Sequence, residues 1–262
     1  MVGGGLVERK IEGRRGALQI AEVRLGGLPR GAVVVLWDAG GPGGLGRDVQ
    51  DDLAGSGYES VAADLTGPEP YGTISDEDLI GEVDALFERH IRQGWSMDQI
   101  AVVGFGLGGR TALVLAAARP ALGAAVSFAP SGLLRPLSDT LPALEGSVTA
   151  VSTPWLGLFG WADVDSPPVE VGRFGRALRA ASPVHCEVVG YRGADRSFYR
   201  GTGTAIVCDA AFDAWQRAVE WLDRRVVPRP STFAEAWSRA QSVRDPPKTM
   251  SLPAGSSAPG AP

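Results

Sequence analysis

The stretch IAVVGFGLGGRTALVLAAA, Ile100 to Ala118, decides the fold. Its opening residues, Ile100–Val103, are uninterrupted apolar chain and read as a buried strand, while the alanine-rich run after Arg110 reads as a helix. Between them lies GFGLGG, Gly104 to Gly109, and two readings of it compete. By spacing, Gly104, Gly106 and Gly109 spell G-x-G-x-x-G, a turn that cradles a dinucleotide pyrophosphate when it joins a strand to a helix. By position, it is a sharp strand-to-helix turn that presents a nucleophile in a G-x-Nuc-x-G pattern, with Gly106 at the nucleophile position. Glycine has no side chain with which to attack.

Outward from this turn, strand and helix alternate. Ala32–Trp37 (AVVVLW), Ser60–Ala63, Ala124–Ala129, Trp155–Phe159 and Cys186–Gly190 are further apolar runs of strand length. Asp76–Gln93 places Leu79, Val83, Leu86 and Phe87 on one helical face behind an acidic capped start, and Asp209–Arg224 repeats the pattern. This alternation predicts an α/β fold with a mostly parallel, doubly wound sheet flanked by helices. Leu18–Leu25 alternates and suits an edge strand. The expected organisation is a flexible N-terminus over 1–17, a single domain over 18–243 ending in a helix at Ser231–Val243, and a disordered tail over 244–262 rich in Pro, Ser and Gly.

With 262 residues and 44% hydrophobic content the chain can bury one sizeable core. A net charge of −5 with interspersed signs argues against nucleic acid as a partner, and no apolar run is long enough to span a membrane. The N-terminus lacks the pattern of a signal peptide, so a cytoplasmic location is expected. Cys186 and Cys208 show no metal-type spacing, and no metal or cofactor is expected. Glycine supplies 36 residues, which makes a chance G-x-G-x-x-G match more common. A dinucleotide site also needs an acid about 20 residues past the motif for the ribose hydroxyls. No Asp or Glu lies between Asp98 and Asp139. A nicotinamide cofactor therefore remains the minor alternative.

Several segments over about Gly31 to Arg225 resemble the dienelactone hydrolase family, which implies an α/β-hydrolase fold. AVVVLW followed by DAGG is similar to the family's first catalytic loop. DDLAGSGYESVAADL (Asp51–Leu65) resembles its helix, glycine-aromatic turn and following strand. GFGLGG resembles the nucleophile elbow, TPWLGLFGWADVDSPP (Thr153–Pro168) the loop of the triad aspartate, and YRGADRSF (Tyr191–Phe198) the loop of the triad histidine. The resemblance puts the family's cysteine on Gly106, its aspartate on Asp163 and its histidine on Arg196. A triad hydrolase needs an attacking atom, a base and an orienting acid. Only the acid survives.

The two histidines do not replace the lost base: His90 falls on an apolar helix face, and His185 at the start of a strand rather than in the loop beyond it. Ser127, Ser131 and Ser197 read as turn serines bonded to local backbone. Arg196 cannot activate them, since a guanidinium stays protonated. Placed opposite Asp163, it would form a structural ion pair or receive an anionic ligand, with the N–H groups of Leu107 and Gly108 opening the helix nearby. Asp38, followed by GGPGG, is a further candidate at the cleft, or a solvated turn acid. Trp37, Trp155 and Trp161 are candidates for its walls or for core. The expected function is a hydrolase-like protein without triad activity that binds a small anionic ligand or a protein partner. The alternative is a lyase, isomerase or cyclase using Asp38, Asp163 and Arg196.

Overall fold

The computed structural model describes residues 6–37, 43–65, 73–119 and 121–230, with the backbone alone for 43 and 44. The fold set out below belongs to the unit Met1–Arg229. The expected terminal helix and tail, Asp38 and the first three residues of GGPGG fall outside the described residues.

Eight strands form one sheet: β1 Leu6–Gly13, β2 Gly16–Val23, β3 Gly31–Trp37, β4 Tyr58–Asp64, β5 Ile100–Phe105, β6 Ala124–Phe128, β7 Trp155–Gly160 and β8 Cys186–Tyr191. Their order is β1-β2-β4-β3-β5-β6-β7-β8. β1 and β2 pair antiparallel, as do β2 and β4, and every other pair is parallel. The helices are α1 Gly43–Gly55, α2 Asp76–Arg92, α3 Leu107–Ala118, the single turn α4 Leu144–Ser147, α5 Pro168–Ala181 and α6 Ala205–Arg225. α2, α3 and α5 bury their apolar faces on one side of the sheet, α1 and α6 on the other. The mostly parallel, doubly wound sheet expected from the sequence is the observed one.

β3 shows why the apolar runs are continuous. Ala32, Val34 and Leu36 point to the first helical layer and Val33, Val35 and Trp37 to the second, so the whole strand is buried. Covered on both faces, a central parallel strand has no polar side to show. α2 begins at a capping box, in which Ser75 Oγ accepts from the Asp78 N–H at 3.1 Å and Asp78 returns the bond to the Ser75 N–H at 3.2 Å.

Three expectations need correction. The segment Leu18–Leu25 is not the edge: its strand part, through Val23, belongs to β2, which has β1 on one side and β4 on the other. Leu6–Gly13, expected to lie in a flexible N-terminus, is that edge strand. Its alternation hides in the sequence because Glu8, Arg9, Lys10 and Glu12 are charged and exposed. It is fixed by the two-residue turn Arg14–Arg15 and by the Arg15 N–H, which donates to buried Glu82 at 2.7 Å. Helix α6 starts at Ala205, a turn before the expected Asp209, and α5 has no counterpart among the expected helices.

Candidate functional site

Strand order reverses between β3 and β5, since β4 lies to one side of β3 and β5 through β8 to the other. In open α/β sheets the carboxyl ends at such a switch point form the crevice where ligands bind. Trp37 and Phe105, the last residues of these strands, stack there with ring centroids 4.4 Å apart. Both are core, as is Trp155, whose Nε1 donates to Ser127 Oγ at 2.8 Å.

Gly106 follows Phe105 at φ 57°, ψ −111°, and α3 starts at the next residue. A side chain is strained at such a φ, and the strand-to-helix turn that exposes a nucleophile uses this kind of sharp, strained backbone. The glycines around it serve close approach. A Cβ on Gly104 would stand 2.0 Å from the Gly108 carbonyl oxygen, and one on Gly108 2.2 Å from that of Leu36, so α3 rests directly on the backbone of the sheet. Leu107 and Gly108 are buried in the first turn of α3. The next residue but one, Arg110, is fully buried. It donates to both carboxylate oxygens of Asp76, at 2.8 and 2.6 Å, and to the Pro142 carbonyl, which ties α3 to the start of α2 and to the loop after β6.

That loop turns on Ala129, a non-glycine residue at φ 43°. Its turn brings Ser131 beside the elbow, where the Ser131 N–H donates to the Gly106 carbonyl at 3.0 Å and the Gly106 N–H donates to Phe128. Ser131 Oγ in turn accepts from Arg196 Nη2 at 2.5 Å. The loop after β8 is thus joined to the turn at Gly106 through one buried serine. Ser197 behaves as the expected turn serine, its Oγ donating to Asp195, whereas Ser127 does not: it is a buried residue of β6 whose Oγ donates across to the Gly109 carbonyl of α3.

Asp163 lies in the loop after β7 and Arg196 in the loop after β8, and both line one open hollow of about 420 Å³. They do not form the expected ion pair. Arg196 pairs instead with Asp165, at 3.8 Å, while Asp163 Oδ1 accepts the Asp165 N–H at 3.0 Å. The chain turns back on itself at Asp163, so the acid two residues further on faces the guanidinium. Asp195, Tyr199 and Arg200 complete the hollow, with the Arg200 guanidinium 5.6 Å over the Tyr199 ring. Sequence reasoning passed over these three and Asp165; their only signal is that they flank Asp163 and Arg196. Trp161, 37% exposed, stands against β8, its Nε1 1.5 Å from where a Cβ on Gly190 would be.

Neither histidine reaches this end of the sheet's loops. His90 is buried in α2, and that burial drives its pKa down to about 4. His185 precedes β8, 3.7 Å from Glu187 and stacked on Trp221. Among the described residues no cluster of His, Cys, Asp and Glu could hold a metal ion, and no helix is long and apolar enough to cross a membrane. β6 ends without an acid for a ribose.

The family model of the dienelactone hydrolase family matches residues 24–226. The chain belongs to the dienelactone hydrolase family. Its curated relatives include proteins provisionally named carboxymethylenebutenolidase. The one from Yersinia pestis is 27% identical over 69% of this chain and 73% of its own length, and the one from Escherichia coli K12 is 28% identical over 67% and 70%. Among solved structures, one provisionally named a dienelactone hydrolase, from Klebsiella pneumoniae, superposes with a TM-score of 0.73 at 24% identity, over 84% of this chain and 99% of that one. Esterase 2 of Thermogutta terrifontis, solved phosphoramylated by tabun, gives 0.69 at 18% identity, over 87% and 97%. These likenesses establish the α/β-hydrolase fold of this dienelactone hydrolase family member.

Proposed function

We propose that this chain is a dienelactone hydrolase family member that does not hydrolyse esters through a triad and instead binds a small anionic ligand in the hollow shared by Asp163 and Arg196. The observation that carries the reading is the turn at Gly106. It keeps the backbone of a nucleophile elbow with no side chain on it, and the residue that reaches it through Ser131 is a guanidinium, a donor that cannot take a proton. Arg196 is 41% exposed and, among the described residues, its one ion pair is the loose contact with Asp165, so its charge is available to an arriving carboxylate. A lyase, isomerase or cyclase would use the same groups, and it is favoured by Asp163, which lines the hollow and forms no ion pair among the described residues. Cytoplasmic residence belongs to the same proposal and is supported by two free cysteines.

The test is p-nitrophenyl acetate with the purified chain. Wild type is expected to give neither a burst nor turnover above buffer. The double variant Gly106→Cys, Arg196→His restores an attacking atom and a base, and is expected to exceed wild type by about 10²-fold or more. Wild-type turnover abolished by one substitution, or an acyl adduct found on any wild-type side chain by mass spectrometry, would overturn the proposal.

A further inference from the structure

The sheet has two edges, and they are built differently. β1 carries exposed Glu8, Arg9, Lys10 and Glu12, the charged dressing that keeps an edge strand from pairing with another chain. β8, CEVVGY, has neither Lys, Arg nor Pro, and Val188, Val189 and Tyr191 are only half-buried. Among the described residues β8 pairs with β7 alone. The Trp155 and Trp161 N–H groups donate to the His185 and Tyr191 carbonyls, so the odd-numbered residues direct their backbone groups toward β7. Residues 186, 188 and 190 therefore direct theirs outward. The Cys186 carbonyl is taken by Arg179 Nε at 3.0 Å. Among the described residues nothing takes up the outward N–H and C=O of Val188 and Gly190.

We infer that β8 is the interface of a homodimer, pairing antiparallel with the β8 of a second copy about a two-fold axis at Val189. The edge fixes this register. Arg179 occupies Cys186, so the outward groups left to exchange bonds are those of Val188 with the partner's Gly190, and the reverse. In that register Val188 lies on the same face as the partner's Gly190, over which the half-exposed Trp161 ring is laid as an apolar surface for it to meet. A second copy is the occupant this edge suits, because the same short strand meets itself with the free groups of Val188 and Gly190 matched in both copies, as a two-fold interface requires.

Sedimentation at micromolar concentration is expected to give twice the chain's 27.3 kDa. Val188→Pro removes an outward donor without touching the β7 ladder, and Val189→Lys sets two like charges across the axis; each is expected to give a monomer with unchanged circular dichroism. In a Cys208→Ser background, Val189→Cys is expected to form a disulfide-linked dimer under mild oxidation, because residues of a pair without mutual hydrogen bonds lie about 4.5 Å apart at Cα, within a disulfide's reach. Glu187→Cys in the same background should stay reduced. A wild type that is monomeric throughout, a dimer that survives both Val188→Pro and Val189→Lys, or crosslinking of Glu187→Cys in place of Val189→Cys would each overturn the inference, the first leaving the edge to some other chain.

Discussion

Two regions of the molecule treat charge in opposite ways. In the first, Glu22 and Glu59 are 3% and 4% exposed and closely surrounded. Glu22 accepts from Arg89 Nε at 3.2 Å and Gln93 Nε2 at 2.9 Å, with Arg24 at 3.6 Å. Glu59 accepts from Arg24 Nε, the Leu25 N–H and Trp95 Nε1 at 3.1–3.3 Å. Burial alone would raise the Glu22 pKa, yet the bonds from Arg89 and Gln93 hold it below its usual value. In the loops after β7 and β8 the acids stand in an open hollow, Asp163 accepts one backbone N–H, and the ion pair there is the 3.8 Å contact of Arg196 with Asp165. A carboxylate removed from water must have its lone pairs filled by the protein, whereas one left in water need not. The first region is held by its charges; in the second the charges face water.

The contrast breaks if the two regions respond alike to substitution. Arg89→Ala takes the main partner from a buried carboxylate and is expected to cost about 3 kcal/mol in urea unfolding, as when one half of a buried pair is deleted. A loss under about 1 kcal/mol would mean that Arg24 and Gln93 suffice and that the first region is no tighter than the other. His90 sharpens the comparison through pH. Its pKa falls from 6.5 to about 4 on folding, so between those values the unfolded chain binds the extra proton. Stability is therefore expected to be full above pH 6.5 and to drop by up to about 3 kcal/mol as pH falls toward 4, at roughly 1.4 kcal/mol per pH unit. Chemical unfolding of wild type and His90→Leu across that range checks it, and equal pH slopes would remove His90 as the cause. The smallest effect belongs to the site. Arg196→Ala breaks a screened, solvent-facing pair and is expected to change stability by less than about 1 kcal/mol, and a larger loss would make Arg196 a structural residue after all.

Much of the fold was legible because central strands such as β3 and β5 are apolar at every position, and a helix such as α2 carries both its cap and its stripe in the sequence. β1 was not legible, because an edge strand has little to bury and its charges conceal the alternation. In the site, the strand-to-helix turn at Gly106 and the loops of Asp163 and Arg196 could be placed from the resemblance. Their connections could not. The pairing of Arg196 with Asp165 depends on how the loop after β7 doubles back, and its bond to Ser131 depends on the left-handed turn at Ala129. Each is a product of backbone direction in three dimensions, to which residue type gives no guide. α5 went unread for a related reason: its proline start resembles the end of a loop.

The angles at Gly106 have a thermal consequence. A residue with a Cβ held in so sparsely populated a region raises the folded state by about 1–3 kcal/mol, and glycine relaxes nearly all of that. In a domain of this size, each kcal/mol corresponds to about 2–4 °C in melting temperature. With glycine at this turn the architecture holds no such spring compressed, and the stability so kept is available to absorb substitutions elsewhere in the chain.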